Sequence, residues 1–326
     1  MTKARITGLG KYVPSRVMTN QDLEEMVDTS DEWITSRTGI KERRIAADDE
    51  PTSELAYQAS KEALVEADVS PEDLDLIIVA TVTPDKLFPA TACIIQEKLG
   101  AVNAAAYDIE AGCSGFVYAV NTASQFIESG LYENILIVGA ETLSKITDWE
   151  DRSTCVLFGD GAGAAVLQPT EEGGFLSFEM GADGTGGQCL QVPAGGSAKP
   201  PTEETINNRE HFIKMAGNQV FKFAVKTMAQ ASRKVIEEVG LKPEDIDLFV
   251  PHQANTRIIN AAARRLNLEP NKVFINLPKY GNTSGASVPI ALNEAADEGL
   301  IKPGDYIVLV AFGAGLTWAS TLIHWN

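Results

Sequence analysis

Three residues stand where a reactive side chain is easily presented. Cys113 lies in Ile109-Glu110-Ala111-Gly112-Cys113-Ser114-Gly115, between a strand-like run and a helical stretch starting near Phe116. His252 follows the apolar run Ile246-Asp247-Leu248-Phe249-Val250-Pro251 and precedes Gln253-Ala254-Asn255, where a helix can begin. Asn282 sits in Tyr280-Gly281-Asn282-Thr283-Ser284-Gly285, again between strand and helix. In parallel α/β sheets ligands bind beyond the carboxyl ends of strands, where helix N-termini also point. The positive end of a helix favours thiolate, and such placement lowers a thiol from about 8.5 into the range of roughly 3.5–7.5. Singly the three are ordinary: a free Cys is usually a small buried hydrophobe, a lone His structural, an Asn after Gly a turn or cap residue. Converging on one pocket, they supply a nucleophile and two donors able to hold a carbonyl oxygen as it gains negative charge.

The elements that must bring them together repeat along the chain. Residues 71–77 read PEDLDLI and residues 243–249 read PEDIDLF, each after an amphipathic helical stretch (Ser60 to Ala67; Ser232 to Val239). A second series agrees in order and spacing. In the first half, a strand at Ala104 to Ile109 leads through AGCSG to a helix at Phe116 to Glu128, then Gly130 and a strand at Ile135 to Ala140. In the second half, a strand at Val273 to Leu277 leads through KYGNTSG to a helix at Ala286 to Asp297, then Gly299 and a strand at Tyr306 to Ala311. Strands alternating with helices imply parallel sheets covered on both faces. The expectation is an α/β fold of two duplicated halves, residues 1–170 and 171–326, packed as a five-layered α/β/α/β/α sandwich. Residues 180–212 lack the pattern and read as an excursion between the halves.

Composition narrows the function. With 326 residues, 44% hydrophobic and 22% charged, the chain is globular, and at this length one core gives way to two units. The formal net charge of -18 argues against nucleic-acid binding, which needs a basic footprint. Apolar runs such as Leu76 to Ala80 are far too short to span a membrane, and the opening residues MTKARITGLGKYVP show no signal-peptide apolar region. A cytoplasmic location without membrane contact is therefore expected. The four cysteines are scattered and the histidines number three, so no metal site is expected. Cys93 and Cys155 read as core and Cys189 as a loop residue, while His211 and His324 take the structural reading. The Gly159–Ala164 run lacks the context of a dinucleotide loop.

These motifs together resemble the thiolase superfamily, and within it the β-ketoacyl-acyl carrier protein synthase III family. The resemblance rests on Gly112-Cys113-Ser114-Gly115, Pro251-His252-Gln253-Ala254-Asn255 and Gly281-Asn282-Thr283-Ser284-Gly285. It extends to Thr29-Ser30-Asp31-Glu32-Trp33-Ile34, Arg37-Thr38-Gly39-Ile40, Phe158-Gly159-Asp160-Gly161-Ala162-Gly163-Ala164 and Gly315-Leu316-Thr317-Trp318, and so covers the whole chain. It implies that Cys113 takes an acyl group from a short-chain acyl-CoA as a thioester. His252 and Asn282 would then stabilise the enolate left when malonyl-acyl carrier protein loses CO2. No Cys follows Cys189, which disfavours a thiolase proper, and elongating synthases carry a second His where this chain has Asn282.

The same resemblance implies an acyl oxyanion site made by the backbone N–H groups of Cys113 and Ala314. Ala314 replaces a usual glycine and would be strained at positive φ. CoA is expected between Trp33 and Arg152, with Thr29, Arg37 and Asn255 nearby; a Trp beside Arg suits stacking and cation–π contact. Phe88 is expected at the acyl pocket across a homodimer interface. No cofactor is expected. Lys222 and Lys226 lie four apart on one helix, and Arg257, Arg264 and Arg265 lie on the helix after His252. This local positive charge would dock an acidic carrier protein against an unfavourable global field, or bind the CoA phosphates. Two other functions fit the residues less well: acyl transfer to an alcohol or amine without decarboxylation, and a non-catalytic acyl-CoA or carrier-protein scaffold.

Overall fold

The computed structural model describes residues 2–326. β1 (Lys3–Tyr12) opens the chain, and β2 (Arg16–Thr19) pairs with β3 (Glu42–Ile45) as a separate ribbon. β4 (Leu76–Ala80), β5 (Ala105–Ile109), β6 (Ile135–Glu141) and β7 (Gly161–Thr170) join β1 in a five-stranded sheet of order β1-β7-β6-β4-β5. β8 (Gly174–Ala182) follows, and β9 (Leu190–Gln191) pairs with β10 (Lys214–Met215) in a small ribbon. β11 (Leu248–Pro251), β12 (Tyr306–Gly313) and β13 (Thr317–His324) complete a second sheet of order β11-β12-β13-β8.

Both sheets are mixed, where the alternation of strands and helices predicts parallel ones. β4 runs parallel to β5 and β6, and β11 to β12, but β1, β7, β8 and β13 are all antiparallel additions. Only strands joined through a crossover helix must be parallel; β12 passes to β13 through a tight turn and returns antiparallel. Every residue of β4 and of β6 is buried, because helices cover both faces of their sheet.

Five layers result. Helices Thr52–Ala67 and Thr91–Leu99 pack on the outer face of the first sheet through Leu55, Ala59, Ile95 and neighbours. Helices Gly115–Glu128 and Ser287–Asp297 lie between the sheets, where Phe116, Val120, Val288 and Leu292 meet Ile137 on one side and Leu309 on the other. Helices Gly217–Glu238 and Thr256–Leu266 cover the second sheet. The two central helices end alike. Gly130 (φ 72°) and Gly299 (φ 69°) take the left-handed conformation, and the N–H groups of Leu131 and Leu300 return to Phe126 and Ala295. That 6→1 closure is the Schellman stop, which Gly adopts at least cost.

One expected strand is absent. Val273–Leu277 makes a single parallel bridge, Phe249 to Val273, and then turns into the short helix Leu277–Tyr280. The Gln253 side chain ends the pairing: its Oε1 accepts the N–H groups of Asn276 (3.1 Å) and Leu277 (3.2 Å). Its Nε2 donates to Pro251 O (2.8 Å) and Phe274 O (3.2 Å). A buried glutamine thus replaces the ladder and pins the segment to the residue beside His252.

Candidate active site

Cys113 occupies a single 3₁₀ turn, Gly112–Ser114, between β5 and helix Gly115–Glu128. The turn is possible because Gly112 holds φ 56°. Two missing side chains let the C-terminal loop close on it. A Cβ at Gly313 would overlap the Cys113 amide nitrogen, and one at Gly112 would overlap the Ala314 amide nitrogen. The two N–H groups expected to bind an oxyanion are therefore held side by side. Ala314 escapes the strain its residue type would incur, since the positive angles fall on Gly315 (φ 74°) and Leu316 (φ 47°) instead.

A cavity of about 670 Å³ opens at this turn, lined by Cys113, Ser284 and Ala314 together with Leu143, Phe158 and Leu190. That volume is ordinary for a small-molecule site. Cys113 is 8% exposed, and burial pushes its thiol up to about 12. The expected lowering by the helix N-terminus does not prevail. A helix dipole supplies about 0.3–1 kcal/mol, under one pKa unit, whereas full desolvation moves a group by up to 3–5 units. Desolvation thus favours the thiol form of the sulfur.

His252 and Asn282 are not among the residues that line that cavity; Ser284, whose N–H is bonded to Asn282, and Ala314, two residues past the Phe312 that packs on His252, are. His252 continues from β11, its N–H donating to Val310 O (2.7 Å) and its ring set edge-on to Phe312 at 5.3 Å. Phe312 leads directly into Gly313 and Ala314. Nδ1 of the imidazole lies 2.5 Å from Ser287 Oγ, and Nε2 has no partner among the described residues. Burial pushes the imidazole down to about 3, so the ring is neutral. Asn282 is bridged to Phe158, its O accepting the Gly159 N–H and its N–H donating to Leu157 O. Its Oδ1 accepts the Ser284 N–H (2.9 Å), which turns Nδ2, the donor end, away from that turn. Gly285 and Gly112 abut, so the turn carrying Asn282 packs on the turn carrying Cys113.

The residues expected around CoA form a cluster of their own outside the cavity lining. The Trp33 indole is flanked by the guanidinium groups of Arg152 (5.0 Å) and Arg37 (5.5 Å). Arg152 donates to Asp28 O (2.8 Å), next to Thr29, whose buried hydroxyl has no partner among the described residues. Asn255 caps helix Thr256–Leu266 through Arg257 N–H and donates to Arg37 O (3.0 Å). The cluster is thereby tied to the segment that follows His252. Lys222, Lys226, Arg257, Arg264 and Arg265 are exposed on two packed helices, and no ion pair engages any of them among the described residues. Arg257 lies over Phe221 at 5.6 Å. Phe88 is 83% exposed and does not line its own chain's cavity, although Leu87 beside it does.

Comparison with known proteins gives the family. The family model described as 3-oxoacyl-[acyl-carrier-protein (ACP)] synthase III matches residues 107–184, and the model of that family's C-terminal part matches residues 236–325. A beta-ketoacyl-[acyl-carrier-protein] synthase III from Caldanaerobacter subterraneus is 63% identical over 99% of this chain and 98% of its own. One from Natranaerobius thermophilus is 58% identical over the full length of both. The chain belongs to the beta-ketoacyl-[acyl-carrier-protein] synthase III family. The crystal structure of 3-oxoacyl-[acyl-carrier-protein] synthase III from Aquifex aeolicus is 52% identical and superposes with a TM-score of 0.92, covering 99% of this chain and 100% of the other. The thiolase-type sandwich follows, and the molecule is an acyltransferase of the condensing-enzyme class.

The sequence reading missed some residues of this condensing enzyme and misplaced one. Cys93, expected in the core, is exposed on helix Thr91–Leu99, its Sγ 3.7 Å from Ala106 O. The excursion supplies cavity wall through Leu190, Gln191 and Val192, and Ile213 just beyond it adds more. Glu141 was legible only as one acid directly after the apolar run Ile135–Ala140. It ends β6 fully buried, accepting from the Thr83 hydroxyl (2.6 Å), the Val82 N–H (3.1 Å) and the Thr81 hydroxyl (3.2 Å).

Burial nevertheless raises the Glu141 carboxyl from 4.5 to about 7. The folded protein then holds a proton there that the unfolded chain has released, so stability falls as pH rises from about 4.5 through about 7. The full cost above that window is about 3 kcal/mol. Glu141→Gln keeps the size and removes the ionisation. Urea unfolding should show its advantage over the wild type growing by up to about 3 kcal/mol between about pH 5 and pH 8. A difference that stays constant with pH would mean that Glu141 folds as the ionised carboxylate.

Proposed function

We propose that the chain primes type II fatty-acid synthesis by joining a short-chain acyl-CoA to malonyl-acyl carrier protein. In the first half-reaction the Cys113 sulfur bonds to the acyl carbon, the CoA sulfur leaves, and the thiol proton ends on CoA. The Cys113 and Ala314 amides stabilise the oxyanion of that step. In the second, the C–C bond of the malonyl group breaks to release CO2, and the enolate oxygen is held by His252 Nε2–H and Asn282 Nδ2–H. The enolate carbon then attacks the acyl-Cys113 carbonyl, the carbon–sulfur bond breaks to give 3-oxoacyl-acyl carrier protein, and the departing Cys113 thiolate takes a proton from water to restore the thiol. Because decarboxylation itself generates the carbanion, neutral donors suffice and no strong base is required.

One observation carries this reading: a neutral imidazole with a partnerless Nε2 stands just past the end of β11, the strand paired with the one whose end closes on Cys113. An imidazolium-thiolate pair would suit other acyl transfers; a neutral donor suits an enolate. Trp33, Arg37, Arg152, Thr29 and Asn255 take the CoA nucleotide. The two halves, residues 1–170 and 171–326, contribute the sulfur and the two donors respectively. The enzyme works as a cytoplasmic homodimer in which Phe88, largely bare in the single chain, enters the partner's acyl pocket. No helix among the described residues is long and apolar enough to cross a membrane.

Release of CO2 from malonyl-acyl carrier protein, measured with and without acyl-CoA, tests this function. One CO2 per 3-oxoacyl product is expected, and product formed without CO2 would mean transfer to another acceptor. The five unpaired cations dock the acidic carrier. Arg257→Glu should raise KM for malonyl-acyl carrier protein roughly tenfold or more while leaving KM for acyl-CoA little changed, and added salt should narrow the gap. An unchanged carrier KM would remove Arg257 from the docking face.

A further inference from the structure

Ser287 opens helix Ser287–Asp297, five residues after Asn282, and its side chain is buried. Its hydroxyl meets two groups. The Gln253 N–H donates to Oγ at 3.3 Å, and His252 Nδ1 lies at 2.5 Å. A hydroxyl has one proton to give, and among the described residues Nδ1 is the only acceptor in its reach. Were Nδ1 to carry the ring proton, two donors would point at Oγ and the hydroxyl proton would be buried with no acceptor, a cost comparable to a lost hydrogen bond.

We propose that Ser287 is a positioning residue that fixes the tautomer of His252, donating its hydroxyl proton to Nδ1 so that the ring's single proton sits on Nε2. The neutral state of the ring, set by burial, is what leaves it a tautomer to choose. Nε2 is the atom left without a protein partner, so a proton held there is the one free for a substrate oxygen. The parallel with Asn282 supports this: there the Ser284 N–H occupies Oδ1 and leaves Nδ2 to donate. Each donor is aimed by a partner that takes its acceptor end. Gln253 completes the device, its side chain bonded at both ends and its N–H holding Ser287 Oγ, so the hydroxyl cannot swing away. The role of the Nε2 proton rests on the proposed decarboxylation; the tautomer itself does not.

With three histidines in the chain, a ¹⁵N-histidine-labelled full-length protein resolves the ring nitrogens, and His211→Asn and His324→Asn proteins assign them. His252 should show a protonated Nε2 and an unprotonated, hydrogen-bonded Nδ1 at neutral pH. A proton on Nδ1 overturns the proposal, and this spectrum needs neither substrate nor turnover. Ser287→Ala should mix the two tautomers and lower kcat for malonyl-carrier decarboxylation by roughly 10–100-fold, far more than the rate of Cys113 acylation. Ser287→Thr, which keeps the hydroxyl, should restore both the Nε2–H spectrum and the rate. A Ser287→Ala protein with a pure Nε2–H tautomer and full CO2 release refutes the assignment. If Ser287→Ala does not fold, the wild-type spectrum decides alone. A correct tautomer in a wild type that releases no CO2 would sink the proposed function and leave the Ser287 assignment standing.

Discussion

Cys113→Ala is expected to lose condensation by at least about 10⁴-fold and to retain no acid-stable label after incubation with radiolabelled acetyl-CoA. The other three sulfurs are poor substitutes. Cys155 is buried in a different cluster, Cys93 is exposed on an outer helix, and the Cys189 thiol donates to Gln219. Cys93→Ala should therefore label as the wild type does. The substitution at 113 removes one sulfur from a site that already tolerates a small residue on each side, so circular dichroism and the unfolding midpoint should change little. Equal labelling of Cys113→Ala and wild type would defeat the nucleophile assignment outright.

The same residue predicts a pH dependence with a definite sign. A thiol pushed up to about 12 holds only a trace of thiolate at neutral pH. Its alkylation by iodoacetamide should keep rising with pH well beyond about 8.5, where an ordinary cysteine levels off. A plateau below about pH 7 would show that the helix N-terminus and the neighbouring amides outweigh desolvation.

What could be read from the sequence follows from how local each signal is. The stops at Gly130 and Gly299 were legible because a left-handed residue after a helix is chosen by its own backbone. The turns around Cys113 and Asn282 were legible for a similar reason, being short and rich in small residues. Val273–Leu277 was misread because its apolar pattern is that of a strand, while the group that ends its pairing, Gln253, lies twenty residues earlier. The excursion carries no periodicity, so nothing local announced that it would wall the cavity. The apolar context of Cys93 reads as core, yet its position on helix Thr91–Leu99 turns it outward while Ala92 and Ile95 face the core. Ser287 and Glu141 share one reason for escaping notice: a serine and an acid acquire meaning only from partners on other elements. Charges and donors are assigned by tertiary contact, whereas turns and caps are assigned by neighbours in sequence.

His252→Ala and Asn282→Ala are each expected to cut malonyl decarboxylation by about 10²–10³-fold, the usual cost of losing one donor to a developing oxyanion. Acylation of Cys113 by acyl-CoA should survive in both, because the proposed oxyanion donors for that step are the backbone amides of Cys113 and Ala314. The split is the informative result. A general-base role for His252 would instead slow acylation and decarboxylation together, and it would give an acidic limb in the pH–rate profile at the base's own pKa. Burial holds the ring down to about 3, so no such limb should appear between about pH 5 and 8. In the proposed mechanism both donors act on one oxygen, so the double replacement should cost less than the product of the two single losses. Strict multiplication would mean that His252 and Asn282 serve different atoms. Single-turnover measurement of ¹⁴CO2 release from labelled malonyl-acyl carrier protein, with pre-acylated enzyme, separates these cases directly.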